Sequence, residues 1–391
     1  MLSYFTTGES HGKGIIAIIK GLPVGLAINI KEIYSELKRR RIAAGRGPRM
    51  LLEQDKMEIL SGIRKGQTIG TPLTILVRNY PFRVLAQRTR QGSWSANTID
   101  RLLPLTKVRP GHIDMASAMK FLSLDGRLGA ERSSARETLG RVIAGSVAKS
   151  ILNKFNINVI GYVTQIGDIP ANITDCKSRD NYFHTTDKNV IPEWQELLKQ
   201  AEKTGDTLGG VFEVMGFNIP VGLGDHTHWE DRLDARLSQA IMAIPAVKGV
   251  EIGLGFGYAD KPGSQAMDLF EICNNRSILN KYGGWKRTTN YAGGIEGGLS
   301  NGENILIRAV VKPIPTLKKP LLTIDLKTKR PTKAQVESSD ICAVPSASVI
   351  GEAVVAFEIA AAFLNKFSAD TISGVAINFR NYLRELRKKF S

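Results

Sequence analysis

Gly14-Ile15-Ile16-Ala17-Ile18-Ile19-Lys20, carried through Gly21-Leu22 into Pro23-Val24-Gly25-Leu26, decides the fold because the same phrase is written twice. It returns as Gly209-Gly210-Val211-Phe212-Glu213-Val214, leading to Pro220-Val221-Gly222-Leu223. In each copy an apolar run of strand length meets a Pro and Gly turn and then a helical pattern. The helix covers 31–41 in the first copy, with Asn29 as N-cap, and about 230–243 in the second. A Gly-containing strand pattern follows each helix, at 58–62 and 247–253, and a further strand follows that, at 72–77 and 305–311. Matching elements in one order predict a duplicated unit of sheet plus helix. The halves cover about 1–150 and 205–370 of a single large domain over 1–391, with a variable insertion at about 165–205.

Between the halves, 134–155 carries apolar residues at helical spacing and opens with a capping box, Ser134 then Glu137. Residues 168–187 are polar and turn-rich, and Pro192 starts a short helix after them. The last long helix, about 346–367, has Ala and Val on most faces and is expected to be buried. The fold class that follows is α+β, with antiparallel sheets sandwiched by outer helices.

Composition narrows the function classes. Hydrophobic residues at 42% and charged residues at 23% of 391 are ordinary for a globular protein, and 38 glycines predict many tight turns. Cys176, Cys273 and Cys342 are widely spaced and odd in number, which supports neither a disulfide framework nor a cysteine zinc site and fits a cytoplasmic location. Glu9 and His11 stand where a signal peptide needs its apolar stretch, and no run of about 18 apolar residues predicts a membrane span. The net charge of +16 points to anionic partners, although Arg384, Arg387, Lys388 and Lys389 read as a solvated helix end. The informative cations are those beside glycine, serine and histidine.

Gly8-Glu9-Ser10-His11-Gly12 displays a histidine on a glycine turn before the first strand, where it can exchange a proton near neutrality. Arg109-Pro110-Gly111-His112-Ile113-Asp114 displays a second, with Arg109 and Asp114 close enough to set its charge. In Glu131-Arg132-Ser133-Ser134-Ala135-Arg136-Glu137-Thr138, free amides at a helix start meet hydroxyls and arginines, the makings of an anion cradle. In the basic run 38–41, Arg39 and Arg41 read as solvated, whereas the Gly45-Arg46-Gly47-Pro48-Arg49 loop aims its arginines at a ligand. Asn290 to Gly298 is a loop whose paired glycines permit close backbone approach to a flat or phosphorylated ligand. Gly253-Leu254-Gly255-Phe256-Gly257 lacks Rossmann spacing, and His226 with His228 lacks a further convincing ligand, so no metal site is expected.

Taken in order, GESHG, RRR with GRGPR, RPGHID, RSSARET, IPAVKGVEIG, AGGIEGG, KPIPT and SDICAVPSASVIGEA resemble the chorismate synthase family across nearly the whole chain. The resemblance implies a homotetramer that binds reduced FMN and 5-enolpyruvylshikimate 3-phosphate face to face. It also implies an anti 1,4-elimination in which phosphate leaves C3 and a hydrogen leaves C6 without net redox change. By the same resemblance His11, His112, Asp340, Ser10 and Ser134 are catalytic, His11 protonating the reduced flavin, His112 stabilising its charge or the departing phosphate, and Asp340 acting as base. Arg40, Arg46, Arg49, Arg109 and Arg136 would surround the substrate. Arg132, Ser133, Ser134, Gln239, Ala240, Gly297, Lys312, Pro313, Ile314, Pro315 and Thr316 would contact flavin. Arg40 and Arg46 also match NADP-binding positions, which makes NADPH the candidate reductant.

The chain departs from the family pattern at Ser338, where the usual Glu-Arg-Ser-Asp reads Glu337-Ser338-Ser339-Asp340, and so a cofactor-binding position has lost an arginine. A lost charge-assisted contact costs about 1.5 to 3 kcal/mol. The stretch 121–130 and Tyr291 also depart, so a compensating arginine or a family member with impaired turnover is the alternative. A basic nucleic-acid-binding protein would need aromatics interleaved with Lys and Arg, which the basic clusters lack. Neither nucleic acid nor membrane is therefore an expected partner.

Overall fold

The computed structural model describes residues 1–47, 55–79, 103–174, 181–272, 285–337 and 339–390, so that Arg49, Ser338, Cys176 and Cys273 lie outside the described residues. Strands β1 (Ser3–Thr7), β2 (Gly14–Lys20), β3 (Met57–Ser61) and β4 (Leu73–Arg78) form an antiparallel sheet in the order β1-β2-β4-β3. A second antiparallel sheet uses β5 (Asn158–Ile166), β6 (Ile169–Pro170), β7 (Gly210–Phe217), β8 (Val247–Ile252) and β9 (Ile305–Val311). Its order is β6-β5-β7-β9-β8. Leaving aside the short β6, the run β5-β7-β9-β8 repeats β1-β2-β4-β3 position for position. The two quoted phrases, β2 and β7, thus occupy equivalent places in equivalent sheets.

Each sheet buries one face, as a period of two requires. In β2 the buried residues are Ile15, Ala17 and Ile19, and in β7 they are Gly210, Phe212, Val214 and Gly216. The main helices are α1 (Ile30–Arg41), α2 (Thr138–Lys154), α3 (Ile191–Thr204), α4 (Leu233–Met242), α5 (Val344–Lys366) and α6 (Ile372–Phe390). Helix α5 is buried along its length except at Glu358, Asn365 and Lys366. It touches both sheets: Gly351 lies under Phe212 and Val214 of β7, and Phe357 meets Tyr4 of β1 edge-on with ring centroids 4.5 Å apart. Helix α2 runs beside it, with Gly145 on Ala353 and, on its other side, Gly140 on Thr6 and Ile15.

The class is α+β with antiparallel sheets, but the expected layer order is reversed: the long helices lie between the sheets, not outside them. A helix apolar on every side needs cover on every side, and the one buried face of each sheet supplies it. By length and composition α5 could cross a membrane, yet it is the core of this fold, 94% buried over its most apolar window.

Close approach and charge lock this middle layer. A Cβ on Gly145 would stand 2.3 Å from the carbonyl oxygen of Ala353, so no larger residue fits without separating α2 from α5. In α5, Glu352 accepts from Arg39 of α1 (2.9 Å), from Lys149 of α2 and from the backbone N–H of Gly161 in β5 (2.7 Å). Glu36 closes the network on Arg39 (2.8 Å) and Lys149 (2.9 Å). Burial alone would lower the Arg39 pKa, but Glu352 and Glu36 outweigh it and raise the value above that of a free guanidinium. Arg39 is therefore a structural cation, not the solvated side chain its place in a basic run suggested.

Candidate active site

The turn 8–12, the turn 109–114, the start of α2 and the segment after β9 converge on a cavity of about 410 Å³. Gly8 has φ +109°, and a Cβ there would lie 2.1 Å from the carbonyl oxygen of Gly14, so glycine is required to fold the first turn back on β2. Asn79, just past β4, then fixes that turn: its amide donates to the carbonyls of Glu9 (2.9 Å), Ser10 (3.1 Å) and Gly12 (2.9 Å). Its own oxygen accepts from Arg136 Nε at 2.9 Å, tying the turn to the cradle.

Both displayed histidines line the cavity, and each rests its Nδ1 on a carboxylate. His11 Nδ1 lies 2.8 Å from Glu131 Oε1, and the His11 backbone N–H donates to Oε2 at 2.9 Å. His112 Nδ1 bonds Asp114, a residue with no exposed side-chain surface. Burial pushes the Asp114 carboxyl up, but Arg109 and His112 outweigh that and hold it well below the usual carboxylate range. Burial likewise raises Glu131, and the His11 contacts with Arg127 nearby leave it lowered. Both acids are therefore anions placed to accept from Nδ1, an arrangement that favours proton exchange through Nε2.

At the cradle Ser134 accepts from the Arg136 N–H at 3.3 Å and donates to Ser10 Oγ at 3.1 Å. It caps a short 3₁₀ turn, Ala135–Glu137, that runs into α2. Glu137 is not the second half of a capping box. Its carboxylate accepts instead from Thr6 Oγ (2.9 Å) and Arg141 Nε (3.0 Å).

Cations dominate the wall. Arg40, Arg46, Arg109, Arg127, Arg136 and Lys312 all line the cavity, and carboxylates back the arginines. Arg136 donates to Asp55 at 2.6 Å, and Arg40, whose side chain is 1% exposed, lies 3.7 Å from the same carboxylate. Arg46 bonds Asp340, which also accepts from the Gly47 N–H at 2.7 Å. Lys312 donates to the Gly111 carbonyl, joining the 312–316 segment to the His112 turn. Apolar surface comes from Ile113, Ala130, Pro245, Ala246, Ile314, Pro315 and Ala343.

Of the residues named from sequence, Ser10, His11, Arg40, Arg46, Arg109, His112, Ser133, Ser134, Arg136, Lys312, Ile314, Pro315, Thr316 and Asp340 line this one cavity. Arg132 turns away, donating to Thr6 and Gly8. Pro313, Gln239, Ala240 and Gly297 are not in the lining; Gln239 and Ala240 sit on α4, and Gly297 stands with open space where a Cβ would be. Sequence reading missed Glu131, Asn79, Asp55, Arg127 and Glu337. Glu131 and Glu337 stood within quoted motifs and Arg127 within the stretch 121–130; Asn79 and Asp55 are tied to the site by contacts from distant segments.

Residues 2–364 match the model of a family described as chorismate synthase. The chain is 46% identical to a chorismate synthase of Geotalea uraniireducens, covering 99% of this chain and 100% of that one. It is 42% identical to one of Brevibacillus brevis, over 100% of both. A solved structure titled as the crystal structure of chorismate synthase superposes with a TM-score of 0.76 at 32% identity, covering 99% of this chain and 98% of that one.

Proposed function

The chain belongs to the chorismate synthase family, which makes it a carbon–oxygen lyase of aromatic biosynthesis acting on a small molecule, and we propose that the cavity lined by His11 and His112 is where it does so. The substrate, 5-enolpyruvylshikimate 3-phosphate, carries one phosphate and two carboxylates. A wall of five arginines and a lysine, set into a pocket with carboxylate-backed histidines, is the observation that supports this reading.

The cavity also suits reduced FMN: Lys312 and the Ser133 hydroxyl offer donors to a phosphorylated tail, and the Pro245, Ala246, Ile314 and Pro315 surfaces offer a flat apolar wall to a ring. When bound, the reduced flavin supplies a transient electron to the elimination and is not consumed. The protein does the rest. Arg40, Arg46, Arg49, Arg109 and Arg136 hold the anionic substrate, and Ser10 and Ser134 orient its neighbours. His11, its Nδ1 resting on Glu131, would supply a proton to the flavin. His112, supported by Asp114, stabilises charge on the departing phosphate. Asp340, paired with Arg46, would act as a base beside the flavin. The C6–H and C3–O bonds break and a second ring double bond forms, so the electron count of the substrate is unchanged.

Three broader readings accompany this. The chain is one domain whose repeats read from sequence as about 1–150 and 205–370; the match of β5 to β1 would carry the second repeat back to Asn158, with the insertion at about 165–205 inside it. It works in the cytoplasm as a homotetramer; the outer face of the first sheet, where Phe5 pairs with Ile18 and Ile16 with Leu76, is apolar enough to receive another copy, Phe5 being 66% exposed. Flavin contacts from Gln239, Ala240 and Gly297 would then fall where copies meet. Cofactor use is tested by assaying the flavin-free protein with substrate plus reduced FMN, oxidised FMN, or oxidised FMN with NADPH, beside a control with no flavin. Product with reduced FMN alone supports the flavin role, product in the third mixture adds NADPH as reductant, and product with no flavin present would refute it.

A further inference from the structure

Arg109 and Arg127 reach the cavity from different segments and turn toward one carboxylate. Arg109 Nη1 donates to Glu337 Oε2 at 2.9 Å, and Arg127 Nη2 donates to Glu337 Oε1 at 3.4 Å. Neither guanidinium relies on Glu337 for its orientation. Arg109 is forked on Asp114, Nε to Oδ2 at 2.8 Å and Nη2 to Oδ1 at 2.9 Å, while Nη1 also reaches Thr316 at 3.2 Å. Arg127 Nε donates to the Leu103 carbonyl at 3.0 Å, and its Nη1 lies 3.8 Å from Glu131.

Glu337 differs from Asp114 and Asp340. Asp114 also accepts from the Arg109 backbone N–H at 3.0 Å, and Asp340 from that of Gly47 at 2.7 Å, whereas each Glu337 oxygen is taken by an arginine side chain. Its side chain is 32% exposed, against 0% for Asp114.

We infer that Glu337 marks a carboxylate slot between Arg109 and Arg127, and that a carboxylate of the substrate takes the slot over while Glu337 swings outward. The inference rests on reading this cavity as the site of an anionic substrate. The exchange swaps two charge-assisted bonds for two others, so neither arginine loses its partner. Competition with Glu337 weakens binding of any anion that cannot match both arginines, which makes the slot selective. Arg127 thereby becomes a substrate-binding residue.

Calorimetric titration of the wild type and of Glu337→Gln with two probes, 5-enolpyruvylshikimate 3-phosphate and malonate, tests this. Removing the competing charge is expected to tighten both by about threefold to tenfold. Adding Arg127→Gln to Glu337→Gln should abolish the gain. Glu337→Ala, checked like the first variant for unchanged thermal unfolding, should reproduce it. Affinity that is unchanged or weaker in both Glu337 variants would overturn the inference and make Glu337 a residue that orients the arginines. Tighter malonate binding where no form binds the enolpyruvyl substrate would keep the slot and sink the substrate reading. Substrate binding without a gain for either probe would do the reverse.

Discussion

Asp114 beneath His112 and Glu131 beneath His11 do the same work at two places: each keeps a buried negative charge against an imidazole Nδ1. Because its folded pKa is depressed, Asp114 contributes stability that is present above about pH 4, where the unfolded carboxylate ionises, and is lost as pH falls below that. Asp114→Asn is therefore expected to cost about 2 to 3 kcal/mol at neutral pH and to flatten the acid limb of stability against pH, measured by urea unfolding. An unaltered acid limb would contradict this. On the catalytic side, His11→Ala should lower kcat by about 10²- to 10⁴-fold with little change in KM, a split that a merely structural histidine would not give. The histidines, Arg46 and Arg109 were legible in sequence because glycine or proline beside them announces a rigid displayed turn, and Arg136 because it sits at a capped helix start. Glu131, Asn79 and Asp55 were not: Glu131 meets His11 across 120 positions and Asn79 meets Ser10 across 69, and no local pattern encodes such contacts.

The helices between the sheets fit only because small residues allow contact. Gly145→Ala places a methyl against the Ala353 carbonyl and is expected to destabilise the protein by about 1 to 3 kcal/mol or more in equilibrium unfolding. A variant as stable as wild type would mean that α2 and α5 are not so close. Glu352→Ala strips the shared partner from Arg39 and Lys149 in the same layer, and a loss of about 3 to 5 kcal/mol is the expected outcome. Strands, helices and the duplicated order could be read from periodicity, since β2 and β7 announce themselves in the same words. Layer order could not. The uniform apolarity of α5 says that it is covered on all sides but not by what, and the antiparallel sheets needed only one cover each.

Across the whole molecule the cations include a solvated end on α6, where Arg384, Arg387, Lys388 and Lys389 are exposed, and those that line the cavity. Shape matters as well as charge: the first sheet turns Phe5, Ile16, Ile18 and Leu76 outward, so Phe5→Glu is expected to reduce the assembly size measured by light scattering. An unchanged assembly would remove that face from the interface. Ser338 is one of the positions at which the sequence departs from the family pattern, and the change expected from it is in rate and not in the kind of reaction, since the histidines line the cavity and rest on their carboxylates. The most direct measurement is anaerobic: protein, chemically reduced FMN and 5-enolpyruvylshikimate 3-phosphate are mixed, and phosphate release and diene absorbance are followed together. The expected result is one phosphate for each diene formed, with the flavin still reduced at the end. Substrate and reduced flavin both bound, with neither phosphate nor diene appearing, would contradict the assignment of this cavity as a working lyase site.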